Sequence, residues 1–151
     1  MMSRRTVIKA IATGSALIGA SVLMPRLAMA AWNKDAFYSD NQRTAMSALL
    51  GGEPTASAEV SLKVPSVAAD GTVVPVTVRT SVTNVESISL FVEGNPTPLV
   101  ANFLIPAGTI AEVSTRIRLG KTSKITAVVK AEGKLLSASQ ETKVTIGGCG
   151  G

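Results

Sequence analysis

From Ala58 onward, apolar and polar residues alternate through one short run after another, and this period of two restricts the fold more than any other feature. In AEVSLKV (58–64), Val60, Leu62 and Val64 fall on one face. The rhythm returns in VVPVTVRT (73–80), ESISLFVE (86–93), LVANFLI (99–105), AEVSTRIRL (111–119) and SKITAVVKA (123–131), and less regularly in LLSASQETKVTI (135–146). Turn-forming residues separate the runs: Ala69-Asp70-Gly71, Gly94-Asn95-Pro96, Pro106-Ala107-Gly108, Gly120-Lys121 and Glu132-Gly133-Lys134. About seven short strands, each with one apolar face, predict an all-β fold: an antiparallel sandwich of immunoglobulin-like type. The Cys…Trp…Cys pattern of antibody domains is missing, so the expectation concerns architecture alone.

Ahead of the strands, SDNQRTAMSALL (39–50) reads as a short helix. Ser39 and Gln42 have capping-box spacing, and Ala45, Met46, Leu49 and Leu50 form one stripe. Gly51-Gly52 followed by Pro54 ends it. Such a stripe serves packing, against a sheet or a partner.

The first 30 residues have a different logic. Ser3 to Lys9 (SRRTVIK) is basic, Ala10 to Met24 is mildly apolar, and Ala28-Met29-Ala30 offers a small-x-small cleavage site, which together predict an export signal over 1–30 cut after Ala30. The apolar run is too short and too rich in Gly, Ser and Thr to span a membrane. Arg4-Arg5, preceded by Ser3 and followed by Val7-Ile8-Lys9, fits the twin-arginine type of signal and hence a periplasmic location.

Cleavage leaves 151 − 30 = 121 residues, enough for one compact domain over 31–146 and a short tail over 147–151. It also removes four of the 15 basic residues (Arg4, Arg5, Lys9, Arg26) and none of the ten acidic ones, so the mature chain has a net charge of +1. The basic character of the full chain therefore belongs to the signal, and nucleic-acid binding loses its support. Histidine is absent, which excludes His-based acid–base catalysis, Ser-His and Cys-His dyads and imidazole-built metal sites. One cysteine makes no intramolecular disulfide.

Three features invite a sharper reading. Gly120-Lys121-Thr122 is similar to the end of a phosphate-binding loop, but Thr115 stands where the first glycine belongs, so a hairpin turn explains it. Arg116 and Arg118 alternate with Ile117 and Leu119 and point away from the core, as a solvated face or as a docking face for an acidic partner or anion. Asp70, Glu86, Glu93, Glu112 and Glu132 are scattered, with no carboxylate dyad or metal set among them.

The chain closes VTIGGCGG, with its single cysteine, Cys149, set between Gly147-Gly148 and Gly150-Gly151. Glycine carries no Cβ and allows both signs of φ, so this segment makes a thin, flexible arm whose five residues reach at most about 17 Å. Such an arm can enter a narrow cleft on another protein. No neighbour activates the thiol: the nearest basic residue is Lys143, and a free cysteine with pKa near 8.5 is only a few per cent thiolate at pH 7. Cys149 thus reads as an attachment point on which other proteins act, with no catalytic residue and no metal site on the chain.

A twin-arginine-type signal, a small β-rich domain and the terminal GGCGG together resemble the SoxY family, the sulfur-carrier subunits of the periplasmic thiosulfate-oxidising Sox system. ALLGG (48–52), VPV (74–76), NPTP (95–98), RIRL (116–119) and KVTIGGCGG (143–151) stand in the order that family shows. The resemblance implies a carrier and not an enzyme, with Cys149 as covalent carrier on a swinging arm of Gly147, Gly148, Gly150 and Gly151. It implies a heterodimer with a second β-sandwich subunit, SoxZ. It also implies visits to a c-type haem enzyme that conjugates thiosulfate, a thiosulfohydrolase and a sulfane dehydrogenase. Cofactors would reside on those partners and none on this chain. Two rivals exist. A ubiquitin-like carrier activated at its terminal carboxylate needs cytoplasmic ATP and a β-grasp fold. An exported immunoglobulin-like module could instead use Cys149 for an intermolecular disulfide, and would need neither pair of glycines.

Overall fold

The structure is a computed structural model that describes residues 32–146. Two short helices come first. Helix α1 (Lys34–Tyr38) is capped by Asn33, whose side chain accepts from the Ala36 N–H at 3.1 Å. Helix α2 (Gln42–Leu50) is capped by Asn41, which accepts from the Thr44 N–H at 3.1 Å. The capping residue is therefore Asn41 and not Ser39. Ser39 Oγ instead holds the Asn41 backbone, donating to its carbonyl at 3.0 Å and accepting from its N–H at 3.3 Å. Gln42 is the first helical residue, too early to reach back in a capping box, and its buried Oε1 makes no hydrogen bond. Gly51 ends α2 at φ +77°, a left-handed cap that favours glycine. The Asn33 side chain donates to the Ala48 carbonyl at 2.7 Å, tying the two helices together through one of the acceptors the last turn of α2 leaves open.

Nine strands follow: β1 (Thr55–Ala56), β2 (Val60–Lys63), β3 (Val67–Asp70), β4 (Val74–Thr80), β5 (Val85–Val92), β6 (Leu99–Leu104), β7 (Glu112–Ile117), β8 (Ser123–Ala131) and β9 (Lys134–Ile146). One sheet has the order β1-β9-β8-β5-β6, with β3 also on β9; the other has the order β2-β4-β7. The immunoglobulin-like sandwich is thus present, with the seven strands read from the alternation. The sequence misses β1 and β3, both of which pair with β9 in parallel. The stretch around Ala69-Asp70 is the end of strand β3, and the turn begins at Gly71.

The alternation predicts the core residues because side chains on a strand alternate between faces. Val74, Val76 and Val78 of β4 meet Ile88, Leu90 and Val92 of β5 and Ile125, Ala127 and Val129 of β8 in one buried cluster. β5 and β8 are buried on their second face too, because the helices lie there: Ala36, Ala45 and Met46 pack with Phe91, Leu99 and Val128. The stripe read on α2 is therefore a packing stripe against the sheet. The β8–β9 hairpin turns through Glu132 (φ 50°) and Gly133 (φ 73°), two positive φ values in a row as a tight two-residue turn demands. At Gly94 a Cβ would run into Ser123 Oγ, so a side chain there would force Ser123 to shift.

Candidate functional site

Cys149, Gly147, Gly148, Gly150 and Gly151, like Arg4, Arg5 and Ala30 of the signal, lie outside the described residues. What the structure does show is the root from which the terminal segment departs. β9 is the longest strand, and residues 134–142 pair with β8. Its last four residues run past the start of β8, where Ser123 faces Thr142. They are held by β3, with Val67 opposite Lys143, Ala68 opposite Val144 and Asp70 opposite Ile146.

Side chains of β9 set up that parallel pairing. Gln140 Nε2 donates to the Val64 carbonyl at 3.2 Å and Thr142 Oγ1 to the Pro65 carbonyl at 2.8 Å. Pro65 has no N–H of its own, so at this point the clasp runs from side chain to carbonyl. The ladder resumes one residue on, where the Lys143 N–H donates to the Ser66 carbonyl at 2.9 Å. Thr142 is fully buried. On the side where β8 has ended, Thr122 Oγ1 accepts the Val144 N–H at 3.0 Å. The Leu119 N–H donates to the Gly71 carbonyl at 2.7 Å, closing the neighbouring loop. The Gly120-Lys121-Thr122 segment is the bend between β7 and β8, and one of its side chains supports the end of β9.

Charge at this end is mixed. Asp70, opposite Ile146, is fully exposed; its Oδ1 accepts from the Thr72 hydroxyl at 2.6 Å and the Thr72 N–H at 2.8 Å. Those two bonds, the hydroxyl first, lower its pKa below the ordinary carboxylate range, so it is a fixed negative charge at neutral pH. Lys121 and Lys143 are exposed at the same end. From Ile146 to Cys149 is three residues, a covalent reach of at most about 10 Å.

The other singled-out residues do not converge. Arg116 and Arg118 are exposed while Ile117 and Leu119 are buried, as the alternation predicts. The carboxylates are occupied separately. Glu112 pairs with Arg79 at 2.8 Å, Glu86 with Lys130 at 3.6 Å, and Glu132 accepts from Asn84 at 2.6 Å. Among the described residues no group of three or more His, Cys, Asp or Glu is placed to hold a metal ion, and no helix is long and apolar enough to cross a membrane. Sequence reading missed Thr142, Gln140 and Thr122, whose partners lie 77, 76 and 22 residues away. The one available signal was Pro65, which interrupts a strand pattern and leaves a carbonyl to be satisfied.

The family model "Sulfur oxidation protein SoxY" matches residues 46–149. Among solved structures, the sulfur carrier protein SoxY from Chlorobium limicola f thiosulfatophilum is similar with 42% identity and a TM-score of 0.61, over 68% of this chain and 94% of that one. The superoxide reductase (neelaredoxin) from Ignicoccus hospitalis is similar over 57% of this chain and 80% of its own, with 18% identity and a TM-score of 0.52, a likeness of fold alone. No curated protein matches the chain.

Proposed function

The chain belongs to the sulfur oxidation protein SoxY family, and from that premise we propose that it is a sulfur carrier whose covalent attachment point is Cys149. The observation that carries the reading is the position of that residue: the family match runs to Cys149, which it reaches as its last residue. The single thiol of the chain stands there between two glycine pairs. The similar protein from Chlorobium is itself called a sulfur carrier.

In this reading the folded domain supplies a rigid platform, and chemistry is done by visiting enzymes. A haem enzyme joins the thiol of Cys149 to the sulfane sulfur of thiosulfate; an S–S bond forms, one proton is released and two electrons leave one at a time through the haem enzyme to its electron acceptor. The product is a cysteine S-thiosulfonate. A thiosulfohydrolase then cleaves the bond between sulfane and sulfone sulfur with water, releasing sulfate and leaving a persulfide on Cys149. Oxidation of that sulfur by a sulfane dehydrogenase and a second hydrolysis return the thiol. The lack of histidine and of an activating neighbour suits a passive thiol, and the glycines suit passage through narrow clefts. The carrier works in the periplasm as a heterodimer with SoxZ, after export directed by Arg4-Arg5 and cleavage after Ala30.

Intact mass spectrometry tests this. Mature protein isolated without reductant from cells oxidising thiosulfate should carry sulfur or sulfonate adducts on Cys149, and the Cys149→Ser variant should carry none and fail to support thiosulfate oxidation. A serine variant with normal turnover would overturn the carrier role. Disulfide-linked dimers as the sole modified form would favour the linker module.

A further inference from the structure

On the larger sheet, exposed charges are matched across strands. Lys124 of β8 faces Glu141 of β9, and Lys130 of β8 pairs with Glu86 of β5 at 3.6 Å. The outer face of the smaller sheet is built differently. Three rows cross it: Lys63 faces Thr77, which faces Ser114; Pro75 faces Arg116; and Arg79 faces Glu112. Only the last row is matched, by the 2.8 Å pair of Arg79 with Glu112. Lys63 and Arg116 are exposed, and among the described residues neither forms an ion pair. Between them the Thr77 and Ser114 hydroxyls are bonded to each other at 3.0 Å, which leaves one of their two protons to donate outward. Pro75, Thr77, Ser114 and Arg116 line an open groove there. Arg118 continues the alternation of β7 one step past the strand. With four cations and one acid the face has a net charge of +3, whereas the rest of residues 32–146, with seven basic and nine acidic residues, has a net charge of −2. Opposite charges on neighbouring strands stabilise a sheet. This face forgoes that matching on a domain that is otherwise acidic, and so concentrates a positive field on one side.

We propose that the outer face of β2, β4 and β7 is a docking surface for an acidic face of another protein and, resting on the carrier reading above, that this protein is an enzyme acting on Cys149. The extent of the face selects the class of occupant. Strands lie about 4.8 Å apart and rise about 3.4 Å per residue, so the cations spread over roughly 10 Å by 20 Å. A small oxyanion would meet one or two of them, whereas a protein surface bearing several carboxylates meets them all. The groove seats one carboxylate between the free hydroxyl proton and Arg116, in a charge-assisted contact. Lys63 and the Arg79 guanidinium, which has N–H donors beyond the one given to Glu112, take others on either side. The position of the face selects which protein. Leu119, next to Arg118, donates its N–H to the Gly71 carbonyl at 2.7 Å, and Asp70, next to Gly71, faces Ile146. The basic row therefore ends on the end of the domain where β9 ends, and a protein seated on it lies beside the root of the terminal segment. Exposed charges of this kind act on encounter: they speed association and lose their effect as salt screens them.

The test has two arms. In the first, the mature chain in complex with SoxZ, carrying an S-thiosulfonate on Cys149, is the substrate of the thiosulfohydrolase. Lys63→Glu combined with Arg116→Glu should lower kcat/KM at least about tenfold at about 20 mM salt and by less than about twofold at about 0.5 M, with Tm nearly unchanged. Lys34→Glu combined with Lys134→Glu makes the same change of net charge at exposed positions off this face, and should leave kcat/KM within about twofold at either salt concentration. The second arm needs no enzyme. Backbone amide signals of the isotope-labelled Cys149→Ser chain in the same complex should shift at Lys63, Thr77, Ser114 and Arg116 on titration with polyglutamate, and not with sulfate at equal concentration of charge. Equal shifts with sulfate would make the face a small-anion site and overturn the proposal. So would a loss of kcat/KM that salt does not relieve, one matched by the Lys34 and Lys134 variant, or no loss at all. Normal thiosulfate oxidation by Cys149→Ser would instead overturn the carrier reading and with it the identity of the enzyme, while the polyglutamate arm would still decide whether the face binds an acidic protein.

Discussion

The clasp at the end of β9 makes a quantitative prediction through Thr142. This side chain is fully buried and its hydroxyl donates to the Pro65 carbonyl at 2.8 Å. Thr142→Val keeps the shape, so no cavity opens and the change isolates one hydrogen bond. A net loss of about 1 kcal/mol is expected for the bond itself, and up to about 2 kcal/mol if the Pro65 carbonyl is left unsatisfied. For a domain of this size each kcal/mol moves Tm by about 4 °C, so the variant should melt about 4–8 °C lower. The effect should also show in the amides beside it. The Lys143 N–H, bonded to the Ser66 carbonyl, and the Val144 N–H, bonded to Thr122 Oγ1, lie next to the altered residue. A factor of ten in exchange corresponds to about 1.4 kcal/mol, so amide hydrogen exchange at these two positions should accelerate about five- to thirtyfold. Amides of β5, such as Leu90, should change only by the global loss. Thr122→Val is the internal comparison. It removes the other acceptor at an exposed site where water can replace it, so Tm should fall by less than about 2 °C. A Thr142→Val protein with unchanged Tm and unchanged exchange at Lys143 and Val144 would show that β3 holds the strand end without this bond, and the clasp would lose its meaning.

Other outcomes are equally specific. Gly148→Val and Gly150→Val should lower kcat/KM of the enzymes acting on Cys149 at least about tenfold while Tm and the alkylation rate of the thiol by a small reagent stay nearly unchanged; undiminished kcat/KM would make the glycines incidental. Changing Arg4 and Arg5 together to Lys should stop export, and Edman sequencing of wild-type periplasmic protein should begin at Ala31; a retained Met1 contradicts the signal. Asp70 has a depressed pKa, so the stability it contributes is present above the unfolded value of about 3.9 and lost as pH falls through the lower folded value. The Tm difference between wild type and Asp70→Ala should accordingly be largest above about pH 4 and shrink below it, and a difference that grows on acidification refutes the assignment.

The period of two made seven strands and most of the core legible, because burial on one face writes itself into every second residue. β5 and β8 still read as alternating although both their faces are buried. Ser87, Ser89 and Thr126 stand at alternate positions and remain buried beneath the helices or beside neighbouring strands. β3 was illegible for a physical reason: in VAAD only Ala68 is buried, and the strand exists because residues 143–146 lie beside it. A strand defined by its partner has no signature of its own. The same holds for β1, two exposed residues joined to Leu136 and Ser137. At the helix the error was a contest between close neighbours, since Ser39 and Asn41 both have capping side chains, and α1 occupies the turn from which a longer helix would have started.

The two parts of the functional surface differ in legibility for a related reason. Cys149 stood out because its chemistry is defined by what surrounds it in sequence: glycines on both sides, and no histidine anywhere in the chain. Its platform did not, because Thr142, Gln140 and Thr122 are ordinary strand and loop residues until the fold brings distant carbonyls and amides to them. Yet the carrier reading needs both. A thiol on a limp chain that began several residues earlier would explore a volume growing roughly as the cube of its reach, diluting its effective concentration at any docked enzyme's cleft. β3 on one side and Thr122 on the other fasten β9, the first as far as Ile146 and the second at Val144. A carrier segment rooted beyond Ile146 would start from a strand end held by β3, by Thr122 and by the buried hydroxyl of Thr142.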